Sequence, residues 1–333
     1  MDWILPALAL CLLLDAIVQL TFARVVVGHI EHRPRLRAVR LPADPDAETF
    51  AVPTPDGVEL AGSILRSRTR PAQGVIVYCH EFGGDRWSFQ NFLDAEATDG
   101  FDVVAFDFRN HGRSGAREDC GAGPWMTDRE IVDAVTVVDF AARRPEWRGL
   151  PIVLAGASRG ANVALAAAAE RPGIAGAIGI GAFSTHDLAM AHFVRGIRRC
   201  AAWVLVVPRW HIRSTLELGV LWSAWRASAR FVRLEPRLRA RRGRPTLLLA
   251  GGEDGLIPAE TTSRLAATAG DSARLVTIPG GRHNHEREAD PARFDAEMSE
   301  FLDQTLMAFR DAPAARREIS HTQFEGAPTA SAA

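Results

Sequence analysis

The feature that most constrains the fold of this chain is a regular alternation of short apolar runs with segments that carry helix patterns. The runs have the composition of strands buried on both faces. They lie at Gly74–Cys79, Asp102–Phe106, Pro151–Ala155, Ile174–Phe183, Thr246–Ala250 and Arg274–Ile278. Helix patterns lie at Trp87–Thr98, Met126–Arg143, Ala161–Glu170, Ala259–Ala269 and Pro291–Phe309. Strands that alternate with helices predict an α/β fold, a mostly parallel sheet covered by helices on both faces.

Two further segments complete the predicted domain organisation. Thr49–Arg66 has the pattern of two strands around a Pro55-Asp56-Gly57 turn, which predicts an opening hairpin. The block between Phe183 and Pro245 lacks a sheet-type strand pattern, so we interpret it as an inserted helical cap. The predicted parts are an N-terminal membrane anchor (1–27), a linker (28–48), the first part of the core (49–183), the cap (184–244), the second part of the core (245–310) and a disordered tail (311–333).

The N-terminal segment is nearly long and apolar enough to cross a bilayer. Residues 3–22 are apolar except where Pro6, Asp15 and Gln19 interrupt them, so insertion is favoured only by a small margin. No Lys or Arg precedes the segment and several arginines follow it, which predicts a membrane-anchored protein with a cytoplasmic catalytic domain. A cleaved signal peptide, which would mean an exported protein, and a helix packed on the domain or on a partner are the alternatives.

One five-residue motif points to a specific chemistry. Gly156-Ala157-Ser158-Arg159-Gly160 lies between a predicted strand and a predicted helix. In this context the glycines permit a sharp, strained turn that exposes the serine hydroxyl above the sheet. Ser158 is therefore the candidate nucleophile.

Candidate partners for Ser158 follow it in the sequence. A serine hydroxyl needs a base to remove its proton, and an orienting carboxylate should precede that base in the chain. Glu253 and Asp254 follow one late strand, and His283 and His285 follow the next. Because the carboxyl ends of parallel strands converge at one edge of a sheet, these residues can meet Ser158 there.

Acyl transfer also needs donors for the developing oxyanion. One donor is expected to be the backbone N–H of Arg159, which directly follows the nucleophile at a helix N-terminus. The other is expected from the loop after the third strand, His80-Glu81-Phe82-Gly83-Gly84, where position favours the Phe82 N–H.

Together these motifs resemble those of the α/β-hydrolases, in particular capped esterases and acyl-hydrolases. The resemblance covers about residues 49–309 and rests on five motifs in order: His80–Gly84, Asp107–Ser114, the Ser158 elbow, the Asp254 loop and the His283 loop. It implies an α/β-hydrolase fold with an inserted cap. It favours Asp254 over Glu253 as the orienting acid and His283 over His285 as the base, and it implies that Asp107–Ser114 supports the site without reacting. The chain departs from the family at Glu81, where the family often has glycine.

The predicted function is that of a serine hydrolase without cofactor or metal, acting on a small-molecule carboxylic ester or thioester with a hydrophobic acyl group. A peptidase or amidase on the same scaffold and a non-catalytic, membrane-tethered binding domain are the alternatives. A net charge of −1 argues against a nucleic-acid partner. The four cysteines have no C-x-x-C spacing and support neither a zinc site nor a disulfide framework.

Overall fold

The computed structural model describes residues 3–32, 41–117, 123–185, 187–188, 190 and 208–312. Its strands are β1 Glu48–Pro53, β2 Glu59–Leu65, β3 Gly74–Cys79, β4 Phe101–Phe106, β5 Ile152–Ala157, β6 Gly176–Ile180, β7 Thr246–Gly251 and β8 Ala273–Ile278. Its helices are α1 Ile4–Glu31, α2 Asp128–Arg143, α3 Arg159–Glu170, α4 Arg209–Arg226, α5 Leu234–Ala240, α6 Ala259–Ala269, α7 Glu286–Ala289 and α8 Pro291–Asp311. Short 3-10 helices lie at Arg86–Asn91 and Pro145–Trp147.

The eight strands form one sheet in the order β1-β2-β4-β3-β5-β6-β7-β8. β1 and β2 form the predicted antiparallel hairpin, and β2 is antiparallel to β4. Every neighbouring pair from β4 to β8 is parallel. The predicted α/β fold with a mostly parallel sheet is therefore confirmed.

Helices cover both faces of the sheet because alternate residues of the central strands point to opposite sides. On one face, Val77 and Leu154 belong to an apolar cluster that also contains side chains of α2, α3, α5 and α6. On the other face, Ile76 and Val153 pack against α8 and the 3-10 helix at Arg86–Asn91. Both rows of strand side chains are thus excluded from water, as the uninterrupted apolar runs predicted.

One predicted helix is shorter than its sequence pattern. Instead of a helix over Trp87–Thr98, the chain forms the 3-10 helix at Arg86–Asn91 and then a series of turns. The Asp94 carboxylate accepts a hydrogen bond from the Glu96 N–H at 2.8 Å. This side-chain bond gives the backbone an alternative to the helical ladder, which explains why the helix does not continue.

The described part of the predicted cap contains α4 and α5. Leu234 and Leu238 of α5 are fully buried in the same apolar cluster as α3 and α6, so α5 packs with the core layer. α4 lies instead beside α1. Residues 186, 189 and 191–207 of the predicted cap, 33–40 of the predicted linker and 313–333 of the predicted tail lie outside the described residues. The domain boundaries remain predictions.

The N-terminal segment forms one continuous helix, α1, which extends to Glu31. Residues 4–28 of α1 are long and apolar enough to cross a membrane by length and composition. The second half of α1 runs parallel to α4, since contacts advance in the same direction along both helices: Asp15 meets His211, Val26 meets Gly219 and Glu31 meets Arg226. α1 is thus both an apolar N-terminal helix and a packing partner of α4.

Candidate active site

Ser158 occupies a strained turn between β5 and α3. Its φ is +53° and its ψ is −121°, a backbone conformation that non-glycine residues rarely adopt. A Cβ at Gly160 would lie 2.1 Å from the Cys79 carbonyl oxygen, and a Cβ at Gly156 would lie 2.4 Å from the Gly160 carbonyl oxygen. Both glycines are therefore required for β5, α3 and the end of β3 to approach one another as closely as they do.

The structure brings Ser158 together with His283, which follows β8. The Ser158 hydroxyl lies 2.8 Å from His283 Nε2, a hydrogen-bond distance. On the other side of the ring, His283 Nδ1 lies 2.8 Å from Asp254 Oδ2. An imidazole with its proton on Nδ1 donates to Asp254 and accepts from the Ser158 hydroxyl, and this is the tautomer that the two contacts favour.

Asp254 is held in place by its own loop. Its second carboxylate oxygen, Oδ1, accepts hydrogen bonds from the Leu256 and Ile257 N–H groups, each at 2.8 Å. These bonds leave Oδ2 directed at His283. The loop after β7 thus fixes the orientation of the carboxylate, and the carboxylate in turn fixes the ring.

The two alternatives from the sequence lie apart from this arrangement. Glu253 is exposed and its backbone N–H donates to the Gly281 carbonyl. His285 is exposed and its Nδ1 lies 2.6 Å from Glu288. The structure therefore brings Asp254 and His283 to Ser158 and leaves Glu253 and His285 at the surface.

The two predicted oxyanion donors lie in the two segments that flank this site. The Arg159 N–H is at the first position of α3, where a helix has no acceptor of its own for that group. Among the described residues, the Phe82 N–H has no backbone acceptor either. Both amides are available to an oxyanion, and their role remains a prediction.

The loop that carries Phe82 is shaped by buried polar groups. His80 Nδ1 donates to the Glu81 carbonyl at 2.7 Å, and His80 Nε2 accepts from the Phe108 N–H at 3.1 Å. Burial lowers the pKa of His80 well below its ordinary value, so the ring stays neutral and can both donate and accept. Glu81, the departure from the family pattern, is buried and accepts a hydrogen bond from the Ser88 hydroxyl at 2.8 Å.

The side chain of Arg159 packs against this loop. It is fully buried, and its guanidinium carbon lies 5.5 Å from the centre of the Phe82 ring and 5.3 Å from that of Phe108. It donates to the Gly123 carbonyl at 2.9 Å and lies 3.6 Å from a Glu130 carboxylate oxygen. No sequence pattern indicates this role, because only the fold brings Phe82, Phe108 and Glu130 around one guanidinium.

The Asp107–Ser114 loop is held by hydrogen bonds and ion pairs to neighbouring segments, and its supporting role remains a prediction. Asp107 accepts hydrogen bonds from the Arg86 and Arg113 N–H groups at 2.7 and 2.9 Å. Arg109 is buried and forms ion pairs with Asp56 of the hairpin turn at 2.8 Å and with Asp133 of α2 at 2.6 Å. These contacts join three separate elements beneath the site.

A second carboxyl group, which sequence reasoning missed, lies beside the His283 ring. Glu286 at the start of α7 is fully buried, and neither of its carboxylate oxygens has a hydrogen-bond partner among the described residues. A Cβ at Gly181 would lie 3.2 Å from Glu286 Oε1 and 3.3 Å from His283 Cε1, so the two side chains border the same small space. Burial raises the pKa of Glu286 from 4.5 to about 7.

Asp254, His283 and Glu286 also have the spacing of a metal-ligand group, with ligand atoms within 4.8 Å of one another. However, His283 Nδ1 and Asp254 Oδ2 already bond to each other, and His283 Nε2 bonds to Ser158. The geometry of the three side chains therefore favours a hydrogen-bond relay that ends on the serine.

One cavity adjoins the relay, and a second lies beside α1 and α4. A cleft of about 640 Å³ is lined on one side by Glu81 and Phe82 and on the other by Leu256, His283 and Asn284. A smaller, mostly apolar crevice of about 60 Å³ lies between α1, α4 and Trp125, with Ile30, Leu216 and Val220 in its walls. The larger cleft opens the His283 side of the site to a ligand.

A strained serine turn after the fifth strand, together with a carboxylate and a histidine after the last two strands of the sheet, is the arrangement typical of α/β-hydrolases. Residues 70–223 match a family model described as "Serine aminopeptidase, S33". Two uncharacterized proteins of Mycobacterium tuberculosis are each 25% identical over 274 residues, which are 79% of this chain and 82% of theirs. The chain has the α/β-hydrolase fold, and residues 70–223 match a serine-hydrolase family model.

Solved structures share the fold. An esterase from Pyrococcus furiosus has a TM-score of 0.59 at 20% identity and covers 83% of this chain and 99% of its own. A membrane phospholipase A, described as a bacterial virulence factor, has a TM-score of 0.52 at 20% identity and covers 94% of this chain and 100% of its own. The chain therefore shares its fold with these two enzymes.

Proposed function

We propose that this hydrolase uses Ser158 as a nucleophile to cleave a carboxylic ester or thioester with an apolar acyl group. The observation that carries the proposal is the continuous relay from the Ser158 hydroxyl through His283 to Asp254, with 2.8 Å at each contact. A neutral histidine within hydrogen-bond distance of a serine hydroxyl is the arrangement that general-base activation requires.

The reaction proceeds in two acyl transfers. His283 Nε2 takes the proton of Ser158 as Oγ attacks the ester carbonyl, and the oxyanion is bound by the Arg159 and Phe82 N–H groups. His283 then gives that proton to the leaving alcohol or thiol, and an acyl-enzyme remains on Ser158. Water, deprotonated by His283, then attacks the acyl-enzyme. As the acid is released, His283 returns the proton to Ser158 Oγ and restores the serine. Asp254 stabilises the imidazolium during both steps.

An ester substrate is supported by the neighbours and by the cavities. The structural neighbours include an esterase and a phospholipase, both of which act on esters by name. The cleft beside His283 and Phe82 can admit the bond to be cleaved, and the apolar crevice at Leu216 and Val220 borders the same apolar cluster as Ile257 of the Asp254 loop.

An amide or peptide substrate is the second candidate. The observation in its favour is the description of the matched family model, which names an aminopeptidase. The same relay can acylate Ser158 from an amide, with His283 protonating the departing amine.

A paired substrate series separates these candidates. Rates are measured for p-nitrophenyl esters from acetyl to dodecanoyl and for p-nitroanilides of the same acids, with Ser158→Ala as the blank. We expect turnover of the esters that rises with chain length, and little turnover of the anilides. Faster anilide than ester turnover would favour the amidase, equal rates on acetyl and dodecanoyl esters would contradict the apolar acyl site, and no turnover would favour a binding domain.

We also propose that α1 attaches the protein to a membrane with the hydrolase domain on the cytoplasmic side. The apolar length of α1 and the arginines that follow the apolar segment 3–22, beginning with Arg24, support this arrangement. An exported protein with a cleaved α1 is the alternative.

A further inference from the structure

The packing of α1 bears on how the helix meets a membrane. Its second half is fixed to the hydrolase body: Ala23, Val26, Val27 and Ile30 are buried, and the Trp125 indole N–H donates to the Ile30 carbonyl at 3.1 Å. Val26 and Ile30 belong to one apolar cluster with Leu216 of α4 and with Ile257, which lies in the same loop as Asp254. The second half of α1 is therefore packed into the hydrolase domain.

The polar residues that interrupt the apolar segment have partners on α4. Asp15 lies 3.2 Å from His211, and Gln19 lies within hydrogen-bond distance of His211, Ser214 and Thr215. From Asp15 onwards, α1 is thus accompanied by α4, whose first turns also carry the charged side chain of Arg213.

A helix that crossed a bilayer over residues 4–28 would carry the polar side chains of α1 and α4 into the bilayer. Asp15 and Gln19, together with His211 and Arg213 of the paired α4, would lie in the hydrocarbon. Each charged group costs about 2.5–3.5 kcal/mol at the centre of a bilayer. The cluster that holds Val26 and Ile30 would also have to leave the body or enter the membrane with it.

The first half of α1 has none of these constraints. The eleven residues Ile4–Leu14 carry no charged side chain and are exposed throughout. At 1.5 Å per residue they span about 16 Å, roughly half of a hydrocarbon core of about 30 Å. This length fits one leaflet.

The outer side of α4 continues the apolar surface. Trp210, Leu221 and Trp225 recur on one helical stripe and are 70%, 67% and 78% exposed. Tryptophan is the side chain that concentrates at the boundary between lipid tails and headgroups. A stripe that begins beside Asp15 and carries a tryptophan near each end fits a helix that rests in the headgroup region.

We propose that α1 and α4 form a monotopic membrane-binding element, in which Ile4–Leu14 enters a single leaflet and the Trp210–Trp225 stripe lies at the headgroups. The helix pair is then oblique to the membrane, and the Asp254 loop packs through Ile257 against the second half of α1. This proposal rests on the membrane association proposed above but not on the catalytic proposal.

The position of residue 2 relative to the membrane tests the proposal. The full-length chain carries Asp2→Cys in a background where Cys11, Cys120 and Cys200 are replaced by alanine; Cys79 is buried and is kept. The matched reporter in the same background is Asp311→Cys at the end of α8. Both are treated with a membrane-impermeant maleimide in spheroplasts and in inverted membrane vesicles of an expressing bacterium, before and after detergent.

We expect the cysteine at position 311 to react from one side and the cysteine at position 2 to react from neither side until detergent is added. Reaction of position 2 from the side opposite position 311 would show a spanning helix and overturn the proposal. Reaction of both positions from the same side would show that α1 does not insert, which also overturns it. Ester hydrolysis does not enter this test.

A charge introduced into Ile4–Leu14 provides a second test of the proposal. Leu12→Glu is expected to reduce the vesicle-bound fraction of the protein at least about tenfold, because the carboxylate would enter a leaflet. Met307→Glu is the matched control, since Met307 is also an exposed apolar residue but lies on α8. Flotation with vesicles of phosphatidylethanolamine and phosphatidylglycerol measures both, and equal losses for the two variants would contradict the proposal.

Discussion

At the scale of single residues, the role of Asp254 in orienting His283 can be tested with the adjacent Glu253 as the control. Asp254→Asn keeps the shape of the side chain but presents an amide that disfavours the productive tautomer, so kcat on a soluble ester is expected to fall about 10⁴-fold. Glu253→Gln is expected to leave kcat unchanged, because Glu253 is exposed and meets the site only through its backbone. Similar losses in both variants would show that the acid has been assigned wrongly.

Glu286 is expected to make the free energy of unfolding depend on pH. Because burial raises its pKa from 4.5 to about 7, the folded protein holds a proton there that the unfolded chain releases. The free energy of unfolding therefore decreases as pH rises from about 4.5 to about 7, by about 3 kcal/mol from this group.

Glu286→Gln removes that dependence, because the amide stays neutral at every pH. The variant is expected to match the wild type in urea denaturation at pH 4.5 and to be more stable by up to about 3 kcal/mol at pH 8. His285→Gln, a change at the neighbouring exposed position, should not alter the pH dependence in this way. A constant difference between wild type and Glu286→Gln across this range would refute a buried titrating carboxyl.

Single-residue roles differed in how far the sequence revealed them. Ser158, Asp254 and His283 could be proposed because each directly follows a strand pattern, and parallel strands bring such positions to one edge. Glu286 and the Arg159 side chain could not be, because their burial depends on what other elements place around them. For Glu286, which follows His283 by three positions, no sequence pattern distinguishes a buried carboxyl group from an exposed one.

At the scale of elements, the contact between α1 and α4 depends on one close approach. A Cβ at Gly219 would lie 2.5 Å from Val26 Cγ1, so Gly219→Leu is expected to force the helices apart and to lower the free energy of unfolding by about 1–3 kcal/mol. Limited trypsin digestion should then cut faster at Arg24. Gly28→Leu is the matched control, because nothing lies within 4 Å of a Cβ at that position. Unchanged digestion of Gly219→Leu would argue against the helix pair.

Element patterns predicted the sheet well and the helices less completely. The apolar runs located the parallel strands because those strands are buried on both faces and need no knowledge of their partners. The helix expected over Trp87–Thr98 was too long, because propensity does not reveal that the Asp94 carboxylate will cap a turn. In the sequence, Asp15 and Gln19 only interrupt an apolar segment. Their partners on α4 could not be predicted, because they are distant in the chain.

At the scale of the whole molecule, the fold brings distant loops into one site by fixing the ends of the strands. Ser158 follows β5, Asp254 follows β7 and His283 follows β8, so their separation is set by strand order and not by contacts within one segment. Arg109 links the hairpin turn and α2 beneath the same edge. The Asp254 loop packs through Ile257 against the proposed membrane element.

The most direct measurement of the central claim is covalent labelling of the intact protein by a fluorophosphonate, which reacts with activated serines. Wild-type protein is expected to gain one adduct, and mass spectrometry should locate it on Ser158. Ser263→Ala, which removes an exposed serine of α6, should label like the wild type, while Ser158→Ala should not label. A wild-type protein that resists the probe, or an adduct that persists in Ser158→Ala, would contradict the assignment of Ser158 as the nucleophile.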